Sequence, residues 1–283
     1  MRIIIDNYSD AYTTQPMQFH RQLAEQGIES SILDMSKVSV YDAMDTLKPD
    51  VLITSGTKLT NSIVQYLRED KSKKLVLNID NLQKDQVKQI ADLLKQNGIS
   101  TICFITSNYS LPQKIDKINV VKLLPSVDTY MVQDLDFDYN IEIGLIIDNL
   151  IDDIGYPNTF HVISANPELV NKTDISLNCL GLRSIYSKYN NIVIKDLKNV
   201  NQILFDALAF GNKVYYDNKE ETGIGEKLKS IFKIDLQLDY NNENKTQDFS
   251  EIKKIIMEKH TDTRRTKSLL SQVTGNFKEA KND

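Results

Sequence analysis

Two cysteines in 283 residues, Cys103 and Cys179, are too few for a disulfide framework or a cysteine-rich zinc site. Each lies inside an apolar run, where a small buried residue is expected. Histidine is as scarce: His20, His161 and His260 stand far apart, no carboxylate or cysteine cluster beside them has metal-ligand spacing, and no metal is expected. Glycine is sparse as well. The first strand candidate runs into Asn7-Tyr-Ser-Asp10 instead of a Gly-x-Gly-x-x-Gly turn, which disfavours an NAD(P)-dependent enzyme. Ser55-Gly-Thr-Lys58 resembles a phosphate loop but lacks the first glycine and the Gly-Lys-Ser/Thr order, so that reading is rejected. The opening Met1-Arg-Ile-Ile-Ile-Asp6 is too short for a secretory apolar region and predicts a first strand. A cytoplasmic protein with no membrane span is expected. Excess positive charge is also missing. With 34 basic and 39 acidic side chains the net charge is −5, against a general nucleic-acid coat, although a local basic patch can still bind phosphate.

What is present is a rhythm. The length is roughly twice a common domain of about 100 to 150 residues, which predicts two compact domains. Short β-branched runs alternate with amphipathic stretches, the pattern of parallel strands joined by crossover helices. Strands are predicted at Arg2–Asp6, Ser30–Asp34, Val51–Ser55, Lys74–Ile79, Thr101–Thr106 and Asn119–Leu123, with helices at Gln15–Gln26, Val40–Leu47, Asn61–Arg68 and Lys84–Gln96. The rhythm breaks after Leu124-Pro-Ser-Val-Asp128, where the acidic stretch Asp134–Asn140 reads as a linker. A second series follows with strands at Ile141–Ile147, Thr159–Ser164, Asp174–Asn178, Asn191–Ile194 and Lys213–Tyr216. Helices are expected at Ile224–Phe232, Ser250–His260 and Thr263–Val273. The expected fold is α/β, two Rossmann-like domains facing a cleft: residues 1–128, a linker over 129–140, residues 141–258, and a helix over 259–283 returning to the first domain.

The most informative stretch is Asn199-Val-Asn-Gln-Ile-Leu-Phe-Asp-Ala-Leu-Ala-Phe-Gly-Asn-Lys-Val-Tyr-Tyr-Asp217. Ala207 and Ala209 allow a helix to pack closely on a sheet, and Gly211 tolerates the positive φ of a tight exit. Asn199, Asn201 and Gln202 lie at the helix amino end, where unpaired N–H groups attract phosphate. Asn199 is equally a plain helix cap. Asp206, one turn on, is placed to accept both hydroxyls of a ribose. The turn Leu180-Gly-Leu-Arg183 follows a strand and can bring Arg183 to a phosphate.

Phe205-Asp-Ala-Leu-Ala-Phe-Gly-Asn-Lys-Val214 resembles the Phe-Glu-Ala-x-Ala-x-Gly-x-x-Val segment of GT-B retaining glycosyltransferases, especially the spore-maturation-protein-like (CgeB-like) group. Val120-Val-Lys-Leu-Leu-Pro-Ser-Val-Asp128 is similar to that group's exit from its first domain, and His260-Thr-Asp-Thr-Arg-Arg265 to the His-Thr-x-x-x-Arg start of its last helix. The resemblance implies the GT-B architecture and a nucleotide-sugar donor, a UDP-sugar, with Asp206 binding the ribose. Where the group carries an arginine for the diphosphate, this chain has Ile203, with Gln202, Arg183 or Lys188 as substitutes. A catalytically inactive nucleotide-binding module is the alternative that this departure leaves open.

In the first domain, Asn7–Thr14 occupies the position that lines the acceptor side in GT-B enzymes. For an inverting reaction Asp10 or His20 is the candidate base for an attacking hydroxyl, and Asp80 falls on the same rim. Arg264, Arg265 and Lys267 read as a solvated face or a brace between domains, or as contacts to DNA phosphates. The expected activity is metal-independent glycosyl transfer to an acceptor hydroxyl on a carbohydrate, a protein or a hydroxymethylated base in phage DNA.

Overall fold

The computed structural model describes residues 1–8, 15–80, 82–108, 111–129, 132, 141–146, 161–164, 175–176, 186, 189–195, 202–217, 224–232 and 249–279. Two compact units divide the chain, one built from Met1–Ser9, Thr14–Leu124 and Asp262–Asp283, the other mainly from Pro125–Thr261.

The first unit follows the strand–helix alternation closely. Its elements are β1 (Arg2–Asp6), α1 (Gln15–Glu25), β2 (Glu29–Leu33), α2 (Val40–Leu47), β3 (Val51–Ser55), α3 (Asn61–Glu69), β4 (Lys74–Asn78), α4 (Lys84–Gln96), β5 (Thr101–Thr106), β6 (Lys114–Ile115) and β7 (Ile118–Lys122). They form one sheet of order β2-β1-β3-β4-β5-β7-β6, parallel except for the β6–β7 hairpin. Successive strand residues point to opposite faces, and both faces are apolar. Ile4, Leu52, Leu75, Leu77 and Phe104 pack with Met44, Ile63, Leu67, Val87, Ala91 and Leu94 of α2, α3 and α4. Ile3, Ile5, Val51, Ile53, Val76 and Ile105 pack with Phe19 and Leu23 of α1 and with Leu269, Leu270 and Val273 of α8 (Asp262–Glu279).

The second unit holds β8 (Ile141–Ile146), β9 (His161–Ser164), β10 (Ile175–Ser176), β11 (Tyr189–Lys195), α5 (Gln202–Phe210), β12 (Lys213–Asp217), α6 (Ile224–Phe232) and α7 (Phe249–Lys259). Its sheet is parallel in every pair, with order β10-β9-β8-β11-β12. α5 ends as its sequence dictates. Gly211 adopts φ +89°, its N–H donates to the Leu208 carbonyl, and the Asn212 N–H reaches back to Ala207, the paired bonds of a Schellman cap.

Both sheets have a point where strand order reverses, between β1 and β3 in the first and between β8 and β11 in the second. In open α/β sheets, ligands bind at the carboxyl edge beside that reversal.

Candidate functional site

The loop leaving β11 leads into α5, so the first turn of this helix stands at the carboxyl edge of the second sheet, beside the β8–β11 reversal. A helix amino end there presents the positive end of the helix dipole. Every side chain from Ile203 to Phe210 is buried, so α5 has no solvated face beyond its first turn. Asp206 is included, at 5% exposed. A carboxylate in that setting must be hydrogen-bonded. The Gln202 side-chain amide donates to Asp206 Oδ1 at 2.7 Å and to the Ser126 carbonyl oxygen at 2.7 Å. Gln202 thus joins the first turn of α5 to the segment that opens the second unit, and both hydrogens of its amide are engaged. Ile203 is 2% exposed and part of the core, so the position at which the resembled group carries an arginine faces inward here.

The aromatic layer under α5 includes a histidine. His260, at the end of α7, meets Phe205 and Phe232 edge-on, with ring centroids 5.4 and 5.9 Å away. Burial, with a smaller push from Lys259, pulls its pKa from 6.5 down to about 4. The folded state therefore keeps the ring neutral while the unfolded chain takes up a proton below about 6.5. This stabilising difference is complete above 6.5 and is lost as the pH falls toward 4. A urea midpoint followed across that window is expected to fall with acidification, and His260→Phe should flatten the slope.

The carboxyl edge of the first sheet is polar in the same way. Asp6, fully buried at the end of β1, accepts from Thr54 Oγ1 at 2.6 Å and from the Met35 N–H at 3.0 Å, tying together the three chain segments around the β1–β3 reversal. Buried Gln15, the first residue of α1, accepts through Oε1 from the Tyr8 hydroxyl at 2.7 Å and from Asn78 Nδ2 at 2.8 Å. Burial pushes the Tyr8 phenol well above its ordinary range, so it stays protonated as a donor. Asp80, just past β4, accepts through Oδ1 from Thr106 Oγ1, the Ser107 N–H and Ser107 Oγ at 2.9, 2.5 and 3.0 Å.

Of the residues singled out from sequence, Gln202 and Asp206 are brought into direct contact. Asp10, Arg183, Asn199 and Asn201 lie outside the described residues, as does Lys188. His20 sits midway along α1 with Nδ1 2.9 Å from Ser30 Oγ, and Ser30 is in register with Ile3 near the amino end of β1. The structure thus places His20 away from the Tyr8–Gln15–Asn78 group. Sequence reasoning passed over Gln15 and Asn78 as site residues and reached Tyr8 only as part of the Asn7–Thr14 segment. Their signal is positional, since each stands at or next to the end of a strand or the start of a helix on one sheet edge. Among the described residues no group of three or more His, Cys, Asp or Glu side chains could hold a metal ion, and no helix is long and apolar enough to cross a membrane.

No protein-family model matches the chain, and no curated protein does. Among solved structures, a candidate UDP-N-acetylglucosamine 2-epimerase from Listeria monocytogenes is similar with a TM-score of 0.56 at 10% identity, over 98% of this chain and 97% of that one. The calicheamicin glycosyltransferase CalG4 (TM-score 0.40, 10% identity, 96% of this chain and 92% of that one) and the spinosyn forosaminyltransferase SpnP (0.43, 9%, 96% and 94%) are also similar, below the level at which they add to the assignment. The first likeness, running the length of both chains, fixes the fold: GT-B, two Rossmann-like α/β units in one chain.

Proposed function

We propose that this protein is a glycosyltransferase that draws its sugar from a nucleotide-sugar donor, a UDP-sugar, bound by the second unit. The observation that carries this reading is the start of α5. A helix amino end at the carboxyl edge of a parallel sheet, beside a strand reversal, has a buried carboxylate, Asp206, one turn in and oriented by Gln202. Such an edge suits a diphosphate, and a fixed carboxylate one turn along suits the paired hydroxyls of a ribose. The resemblance of Phe205–Val214 to the spore-maturation-protein-like group supports the same assignment. The positive end of the α5 helix dipole would stabilise the charge that grows on the diphosphate as the glycosidic bond breaks. Under this reading the enzyme works without a metal, in the cytoplasm. Its acceptor is a hydroxyl on a carbohydrate, a protein or a hydroxymethylated base in phage DNA.

One observation favours a second reading, a nucleotide- or nucleotide-sugar-binding module without turnover. Ile203 is packed into the core where the resembled group places a diphosphate-binding arginine. Incubation with a panel of UDP-sugars separates the two. Release of free UDP supports the transferase, saturable binding without release supports the module, and neither binding nor release defeats both.

A further inference from the structure

The first unit contains a cation whose surroundings do not account for it. Arg265, in the first turns of α8, is partly buried beneath the carboxyl edge of the sheet. Its guanidinium lies 5.6 Å from the centre of the Phe19 ring, and one Nη2 hydrogen reaches the Leu123 carbonyl oxygen at a long 3.4 Å. Nε is buried with no hydrogen-bond partner, and no ion pair joins the group to a carboxylate among the described residues. A guanidinium has five N–H donors in a fixed fork and stays charged under all ordinary conditions, and here a single long bond from Nη2 is its one hydrogen bond among the described residues. Burial lowers its pKa, while Asp80, Tyr8 and Asp262 favour its charge from a distance.

Asp80 is its counterpart. Three donors hold Oδ1, whereas Oδ2 has no partner among the described residues, and the side chain is exposed. The carboxylate is therefore held through Oδ1, with Oδ2 unengaged among the described residues. Asp80 and Arg265 act on each other electrostatically without touching, and the neutral polar groups of Tyr8 and Asn78 share the same sheet edge. Unpaired guanidinium N–H groups and an unengaged carboxylate oxygen suit a ligand that carries an oxyanion and hydroxyls together.

We propose that the carboxyl edge of the first unit binds a small polyol bearing an oxyanion, a sugar phosphate in the first instance, with Arg265 taking the oxyanion and Asp80 Oδ2 accepting from a hydroxyl. This site is separate from the nucleotide site of the second unit and does not rest on it. The experiment is calorimetric titration of the full chain with glucose 6-phosphate, glucuronate, glucose and inorganic phosphate. Glucose 6-phosphate is expected to bind saturably and more tightly than glucose, and the glucuronate arm reports whether a carboxylate replaces the phosphate. Arg265→Gln should abolish that binding, and Arg265→Lys should weaken it about tenfold by keeping the charge without the fork. Asp80→Asn, at an exposed position that spares the core, should weaken glucose 6-phosphate while leaving inorganic phosphate unchanged. A brace-only Arg265 would leave every affinity unmoved in folded Arg265→Lys protein. That result, absence of binding by any probe, or equal binding of glucose and glucose 6-phosphate overturns the proposal. Asp206→Asn should not alter glucose 6-phosphate binding, so failure of the donor reading and failure of this one are told apart.

Discussion

Asp206→Asn protein is expected to fold as the parent does and to bind UDP about 10- to 100-fold more weakly, with a matching loss of UDP release from UDP-sugars. The amide keeps the shape of the carboxylate and an oxygen for the Gln202 hydrogen, so the α5 contact at 2.7 Å can persist. It removes the charge that strengthens hydrogen bonds to ribose hydroxyls, each of which contributes about 1.5–3 kcal/mol to a charged acceptor against about 0.5–1.5 kcal/mol to a neutral one. Asp206→Leu is the contrasting change. It leaves the Gln202 amide short of one acceptor in a part-buried place and should cost about 1–3 kcal/mol of stability in addition. Calorimetry with UDP and urea unfolding read the two effects separately, and unchanged UDP affinity in the folded Asn variant would remove Asp206 from the donor site.

The second large effect concerns the neighbouring position. Ile203→Arg restores on paper the arginine of the resembled group, yet it should lower stability by about 3 kcal/mol or more without tightening UDP binding. The side chain at 203 is 2% exposed in a helix whose next seven side chains are all buried, so the guanidinium would be placed among mainly apolar neighbours, with the nearby Asp206 carboxylate already engaged by Gln202. A large drop in the urea midpoint is the expected reading. A folded Ile203→Arg protein with tighter UDP binding would mean that this face of α5 opens toward the ligand.

Much of the first unit was legible because its strands are short, β-branched and covered on both faces. Arg2–Asp6, Val51–Ser55 and Thr101–Thr106 match their predicted bounds, as do the helices Val40–Leu47 and Lys84–Gln96. The β6–β7 hairpin was not legible. Its two-residue turn, Asp116-Lys117, takes φ +46° and +72°, a conformation that sequence normally announces with Asn-Gly or Asp-Gly. In the second unit, Asp206 could be found because its neighbours form one contiguous pattern. The polar edge of the first unit could be found only in part, through Asn7–Thr14 and Asp80, since Gln15, Asn78 and Arg265 come from distant stretches brought together by the sheet. Arg265 also sits in a basic run, and composition alone treats such runs as solvated. Helical spacing distinguishes it: Arg265 shares the inward face with buried Leu269 four residues on, whereas Arg264 and Lys267 are exposed.

The first sheet needs α8 to cover Ile3, Ile5 and Val76, and α8 lies beyond the whole of Pro125–Thr261 in the chain. During synthesis on a ribosome, the seven strands made earliest emerge with one apolar side covered by α1 alone and must wait for more than a hundred residues before their last helix arrives. The portion translated first is thus the portion completed last, and a nascent chain halted at Thr261 would depend on chaperones to shield that unfinished face.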